Sequence, residues 1–408
     1  MIPMENKGRS PFSPDQPVPV ELFVGRMEQI QRIMSRSVNQ AAGGRPCFVF
    51  LEGEYGIGKT SVAKFTQWLA EKDRKLLAIY ATLDRAETMD DIGVAVLDGT
   101  FKSGVYDPGL GEKIRAGFAK YVGEQTLFGV TIHAEALKKE GPRVTRGLLS
   151  FLGQTLKRVK DDGIQGVFLV MDEINGIADN PKFAPYLKGL SDVNAPTTPD
   201  NPSVPVLVML VGTEERRWEL SSHHPSVAGI FDLVRIERLS KEEMESFYAK
   251  AFESVKMTVD RAAMNTLTRH AAGFPKPMHI IGNAAFWLDT DGHIDKDDAW
   301  DAVIAAAEDI GRKYVDRQVY QALRSKDYHS ILNKIARSGL EMSFQKKDIA
   351  KALTQSEQKK LGNFLTKMKR LKVLRSGEVQ GEYFFNMRMV RLYIWLQSLR
   401  QEKDSGRI

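Results

Sequence analysis

The stretch LEGEYGIGKTSVAKF, residues 51–65, decides how this chain is read. An apolar run breaks into glycines, reaches Lys-Thr-Ser and passes directly into a helical pattern. Gly53, Gly58, Lys59 and Thr60 meet the spacing G-x-x-x-x-G-K-T. Glycines let the backbone curl so that successive N–H groups face phosphate oxygens, a lysine neutralises the terminal phosphates, and a threonine hydroxyl can bind magnesium. The flanks FVFLE and SVAKFTQWLA supply the strand and helix that such a loop requires. The loop from Gly53 through Glu54, Tyr55, Gly56, Ile57 and Gly58 to Lys59, Thr60 and Ser61 is therefore a candidate nucleotide site.

Two further strand ends complete the pattern. VFLVMDE delivers Asp172 and Glu173 at the end of an apolar run, the edge where ligands bind in open parallel sheets. Asp172 is then the metal-side acid and Glu173 the candidate general base for an attacking water. VLVMLVGT ends in Thr213, whose hydroxyl can orient that water. Together with CFVFLE (47–52) and LLAIYA (76–81), these runs are uniformly apolar, as expected of parallel strands covered on both faces by crossover helices. The expected fold is α/β. A long crossover from Thr82 to Gln165 is expected to hold extra helices and a hairpin around FGVTIH.

Beyond VRIERL (234–239) strand signals stop, and Ser240 followed by Glu243 has the spacing of a capping box. Residues 240–310 are expected to be entirely helical. DTDGHIDKDD (289–298) lacks the terminal glutamate of a calcium loop and reads as a polar turn. His223-His224 lacks a partner at metal-ligand spacing.

Of the chain's 408 residues, 42% are hydrophobic, and no apolar window is long enough for a membrane span. A cytoplasmic protein is expected, and the single Cys47, which can form no internal disulfide, agrees. The net charge of +6 is divided: residues 311–408 hold 22 Lys+Arg against 9 Asp+Glu, while the remainder is net acidic. Such asymmetry is expected of an engine joined to a polyanion-binding module. In that basic quarter, three helical stretches and two short strands around Gly377 and Gly381 form a winged-helix pattern. Leu361, Phe364, Leu365, Met368 and Leu371 fall on the core side of the third helix. Lys359, Lys360, Asn363, Lys367 and Arg370 fall on the other, which can enter a DNA groove with Arg375 on a phosphate.

The order ELFVGR, GEYGIGKTS, LVMDE, LVGT, GFPKP and a winged helix resembles the AAA+ ATPases, in particular the origin-recognition and archaeal-initiator branch. The resemblance covers nearly the whole chain. It implies a Pro-rich arm (1–20), a P-loop ATPase core (21–239), an all-α lid (240–310), a connector (311–327) and a winged-helix domain (328–408). It implies ATP and Mg2+ as cofactors, Val24, Gly25 and Arg26 beside the adenine, Lys276 of the lid near the terminal phosphate, and Thr213 as first sensor. Double-stranded DNA and further copies of the chain are the implied partners. Two departures matter. Lys276 stands where relatives usually have arginine, losing a bidentate fork. HPSVAGIFD places Gly229 and Ile230 where relatives often supply the arginine that completes a neighbour's site. Arg216 or Arg217 is the candidate substitute, and without one hydrolysis is expected to be slow. The alternatives are a signalling or scaffold ATPase whose winged helix docks protein, and an ATPase helper of transposition or plasmid maintenance.

Overall fold

The computed structural model describes residues 7–14, 23–72, 76–104, 109, 111–114, 141–195, 203–339, 341–371, 373–377 and 379–404. The expected FGVTIH hairpin, Glu21 and Leu22, and most of the Pro-rich arm lie outside them. The chain forms two compact units, residues 17–20 with 25–237 and residues 1–16 with 21–24 and 238–408.

The first unit is built on a five-stranded parallel sheet in the order β2-β3-β4-β1-β5. The strands are β1 (Cys47–Gly53), β2 (Leu76–Thr82), β3 (Gly166–Asp172), β4 (Val206–Gly212) and β5 (Phe231–Ile236). Every residue of β3 and β4 is buried, which is why GVFLVMD and VLVMLVG show no polar alternation. The ends of β3, β4 and β1 lie side by side, bringing Asp172, Thr213 and the glycine loop to one edge of the sheet. The helix at the entry runs through Met27–Arg32, a π-helical Ile33–Val38 and Asn39–Ala42. In it Ile30, Ile33 and Val38 are buried, while Met27 is 66% exposed. Cys47 is half-buried, and desolvation pushes its thiol up to about 12, as suits a filling residue.

The second unit holds helices Lys241–Ser254, Arg261–Ala271, Pro275–Leu288 and Lys296–Ile310. The capping box of Ser240 and Glu243 is formed. The expectation of an all-helical segment needs one correction: β6 (Thr258–Val259) pairs in parallel with β7 (His293–Ile294). DTDGHIDKDD is a turn in which Asp289 accepts the N–H groups of Gly292 and His293, followed by a capping box of Asp295 and Asp298. Lys296–Ile310 continues as π-helical Gly311–Tyr320, and 321–325 are non-helical before the next helix.

A winged-helix topology follows: helix Lys326–Arg337, β8 (Ser343–Gln345), helices Lys346–Lys351 and Gln355–Arg370, then β9 (Leu374–Ser376) and β10 (Glu382–Phe385). Its antiparallel sheet has the order β8-β10-β9. Leu361, Phe364, Leu365 and Met368 are buried, as the helical spacing predicts. The last helix, Arg388–Asp404, buries Met389, Val390, Leu392, Tyr393 and Ile394, while Leu399 is 36% exposed.

One apolar cluster joins the helices of residues 241–310 to the winged-helix fold, running from Phe247 and Ile281 through Ile310 and Val319 to Phe364 and Tyr393. Gly311 lies so close to Tyr393 that an added Cβ would stand 2.2 Å from its ring, and the Tyr393 hydroxyl donates to Asp316 at 2.7 Å. The N-terminal arm joins the same cluster. Phe12 packs edge-on against Phe247 and Phe252 over Gly282, and Lys7 pairs with Asp289.

Candidate nucleotide site

Gly56 and Gly58 have φ of 77° and 96°, a region where glycine alone sits without strain. Gly53 is required by closeness, since a Cβ there would stand 2.8 Å from Ile57 Cγ2 and 2.9 Å from the Ile236 carbonyl oxygen. Ile57 is buried and anchors the loop, while Glu54 and Tyr55 face solvent. Lys59, Thr60 and Ser61 are half-buried in the first turn of helix Lys59–Lys72. The Lys59 amine folds across the loop and donates to the carbonyls of Gly53 (3.0 Å) and Glu54 (2.9 Å). Burial lowers its pKa against the opposing pull of Glu173, Asp172 and Glu54.

Asp172, buried at the end of β3, is the hub of the site. Its Oδ2 accepts from the Thr60 hydroxyl at 2.7 Å and from the Tyr80 hydroxyl, and its Oδ1 accepts the Glu173 N–H at 2.8 Å. Glu173 has φ of 57°, a left-handed conformation that costs a non-glycine residue roughly 1–3 kcal/mol and gathers at functional sites. Its carboxylate accepts the side-chain amide of Asn175. Burial and the charge of Asp172 raise the Glu173 pKa, with Lys59 pulling the other way.

Thr213 ends β4 and precedes helix Glu214–His223, its hydroxyl donating to Glu215 at 3.0 Å. Arg216 pairs with Glu219 one turn on. Arg217 donates through Nε to Glu52 Oε2 at 2.5 Å, and Arg235 of β5 donates to the other oxygen at 3.0 Å. Glu52 is 2% exposed, so Arg217 is committed to a buried carboxylate of its own chain. Gly229 stands in the turn Pro225–Ile230 with nothing within 4 Å of an added Cβ.

Gly25 and Arg26 have φ of 71° and 63°, and the buried Arg26 guanidinium donates to the Ile57 carbonyl of the loop at 3.4 Å. Val24 belongs to the other unit and packs on its apolar cluster. Lys276 also lies in that unit, half-exposed in the first turn of helix Pro275–Leu288. Among the described residues no cluster of three or more His, Cys, Asp or Glu is placed to hold a metal, and His223 faces Asp179 instead.

On the winged helix, Lys359, Asn363, Arg370 and Arg375 are exposed, with Arg375 stacked over Phe384. Lys360 is exposed and paired with Asp327. Lys367 departs from the expected outward face: it is half-buried and its amine donates to the Ala322 carbonyl. Reading the sequence missed Tyr80, Asn175 and Glu52. Tyr80 had a signal, as the only side chain with a polar atom inside LLAIYA.

A parallel sheet with a glycine loop after β1 and an acidic pair after β3 defines the fold of a P-loop nucleoside triphosphatase. Within that class the sheet is followed by a helical segment and a winged-helix topology, an arrangement whose fold is like that of two solved structures. The chain is similar in fold to a Walker-type ATPase of Pyrococcus abyssi, at a TM-score of 0.57 and 15% identity over 91% of this chain and 96% of that one. It is similar also to the ORC2 protein of Aeropyrum pernix in ADPNP–ADP complexes, at a TM-score of 0.58 and 12% identity over 94% and 95%. No protein-family model and no curated protein matches the sequence. No helix among the described residues is long and apolar enough to cross a membrane.

Proposed function

We propose that this chain binds ATP with Mg2+ and hydrolyses it slowly, and that its nucleotide state controls self-assembly and the binding of double-stranded DNA by the winged helix. The observation that carries the reading is the 2.7 Å hydrogen bond from Thr60 to Asp172, which joins the phosphate loop's helix to the acidic end of β3. These two hard oxygen donors fit magnesium, which takes one or two protein oxygens and keeps several waters. When bound, the ion would neutralise phosphate charge. Lys59 would exchange its two loop carbonyls for phosphate oxygens. Glu173, its pKa already raised, would accept the proton of an attacking water, and Thr213 would orient that water. Slow turnover is supported by Gly229 and Ile230 at the arginine positions and by the commitment of Arg217 to Glu52. Lys276, Val24, Gly25 and Arg26 keep the roles that the resemblance implies.

The test is an ATPase assay with and without duplex DNA across protein concentrations, beside Glu173→Gln. The substitution should lower hydrolysis about 10²–10⁴-fold while retaining nucleotide, and should hold the protein on DNA. A variant that binds DNA no better with ATP than without refutes the coupling.

One observation favours a second reading, a regulatory ATPase whose winged helix docks protein. Of the six groups expected at a DNA groove, Lys360 and Lys367 are spent within their own unit, leaving Lys359, Asn363, Arg370 and Arg375. Phosphate contacts from Lys359, Arg370 and Arg375 would give a fall of DNA affinity with salt of log-log slope about −3, whereas a protein-docking surface would give no DNA binding at low salt.

A further inference from the structure

We propose that Tyr80 is a positioning residue for the magnesium-side carboxylate, its hydroxyl fixing Asp172 Oδ2 so that Thr60 and Asp172 face the cation together. This rests on the nucleotide reading above. An ionised carboxylate offers about four lone-pair sites. In Asp172, two on Oδ2 are taken by Thr60 and Tyr80 and one on Oδ1 by the Glu173 N–H, which leaves one, on Oδ1, for the cation or its water. Without Tyr80, Oδ2 would keep a lone pair open to water and the carboxylate would be free to turn.

The position of Tyr80 is built into the fold. In the parallel register β2 pairs with β3 so that Tyr80 stands opposite Val170 and Thr82 opposite Asp172. Tyr80 and Asp172 therefore share a face, two residues or about 6.6 Å apart along the strands, a gap the long phenol side chain bridges. From above, Lys64 places its amine 5.2 Å from the Tyr80 ring centre, one turn after Thr60 on the same helix. From the other side, helix Met89–Phe101 packs on the Tyr80 backbone so closely that a Cβ on Gly99 would stand 2.4 Å from the Tyr80 carbonyl oxygen. At neutral pH a phenol keeps its proton, so the Tyr80 hydroxyl donates to the carboxylate. A phenylalanine would fill the same volume; the hydroxyl is what the carboxylate uses.

The experiment titrates Mg2+ into the full chain with a fluorescent ATP analogue, for wild type and Tyr80→Phe, and repeats the nucleotide titration in EDTA. Groups that orient a metal ligand typically cost 10–100-fold in metal affinity when removed. Tyr80→Phe should therefore raise the half-saturating Mg2+ about tenfold while leaving metal-free nucleotide affinity unchanged. Lys64→Met, which keeps the hydroxyl, should leave the Mg2+ midpoint in place. An unchanged midpoint in Tyr80→Phe, with wild type responding to Mg2+, overturns this proposal alone. Equal losses with and without Mg2+, or a variant that does not fold, make Tyr80 structural and overturn it too. A wild type that binds no nucleotide overturns the nucleotide reading itself.

Discussion

Arg217→Ala separates an arginine that serves its own fold from one that serves a neighbour. Glu52 is 2% exposed and held by two guanidiniums, Arg217 at 16% side-chain exposure and Arg235 at 55%. Removing one partner from a buried ion pair costs roughly 3–5 kcal/mol, because the remaining charge stays buried. Here Arg235 remains, but it is more than half exposed and screened by water, so it recovers only part of that loss. A net destabilisation of about 2–3 kcal/mol is expected for the unit of residues 25–237. For a unit of this size 1 kcal/mol moves the melting temperature by roughly 2–4 °C, so the drop should be about 4–12 °C. The assay is a melt of the nucleotide-free protein at two widely separated concentrations, with Glu52→Gln and the double variant closing a mutant cycle. The drop should not depend on concentration, and the double variant should recover part of it. An unchanged melt, with hydrolysis lost only at concentrations where the protein assembles, would refute the assignment and make Arg217 a residue acting on a neighbouring copy.

Three further outcomes follow from the same kind of accounting. His279 accepts the Ser13 N–H through Nδ1 at 3.0 Å and must therefore be neutral there, and burial pushes its pKa down to about 4. Protonation then favours the unfolded form: the contribution is full above about pH 6.5 and is lost as pH falls toward 4, to a total of roughly 3 kcal/mol. Chemical denaturation across that range should show the slope, and His279→Gln, which keeps an acceptor, should lack it. For hydrolysis, the raised pKa of Glu173 means that single-turnover rates should fall with acid at a midpoint above the ordinary glutamate value of about 4.3; a midpoint at or below that value removes Glu173 as the base. Gly311→Ala should displace Tyr393 and break its bond to Asp316, costing about 1–3 kcal/mol by overpacking and raising hydrogen exchange in helix Arg388–Asp404.

The glycine loop was legible because its pattern is local: glycines, lysine and threonine fall within eight residues, and the flanking strand and helix have their own periodicities. The sheet was legible for the same reason, since β3 and β4 are apolar at every position and nothing but a doubly covered strand needs that. What escaped depends on pairing across distance. Glu52 meets Arg217 and Arg235 only because β1 lies between β4 and β5, an order that no local pattern carries. Tyr80 reads as core filling until β2 is set against β3 in register. Lys367 satisfies the spacing of an outward face, yet its long stem bends to the Ala322 carbonyl, which only the packed helix turn supplies.

The same limit explains the separation of lid, connector and winged helix in the sequence reading, where a change from strand to helix signals and then to basic charge looks like a set of boundaries. Packing nonetheless ties these stretches together. Helix Pro275–Leu288, which carries Lys276, packs into the cluster that holds Lys296–Ile310; that helix runs on without a break into Gly311–Tyr320; and Tyr393 of the last helix is seated on Gly311 and bonded to Asp316. Arg400 and Arg312 both reach Glu308, adding a polar tie over the same seam. Among the described residues, one packed cluster joins the helices of residues 241–320 to the winged-helix fold across the short non-helical stretch 321–325. Coupling between the two is therefore expected to be mechanical and set by the Gly311–Tyr393 contact. Under the function proposed above, its strength should track the fit of that contact more closely than the number of lysines on the outer face, so Gly311→Ala should weaken the proposed nucleotide-dependent DNA binding while leaving nucleotide affinity intact.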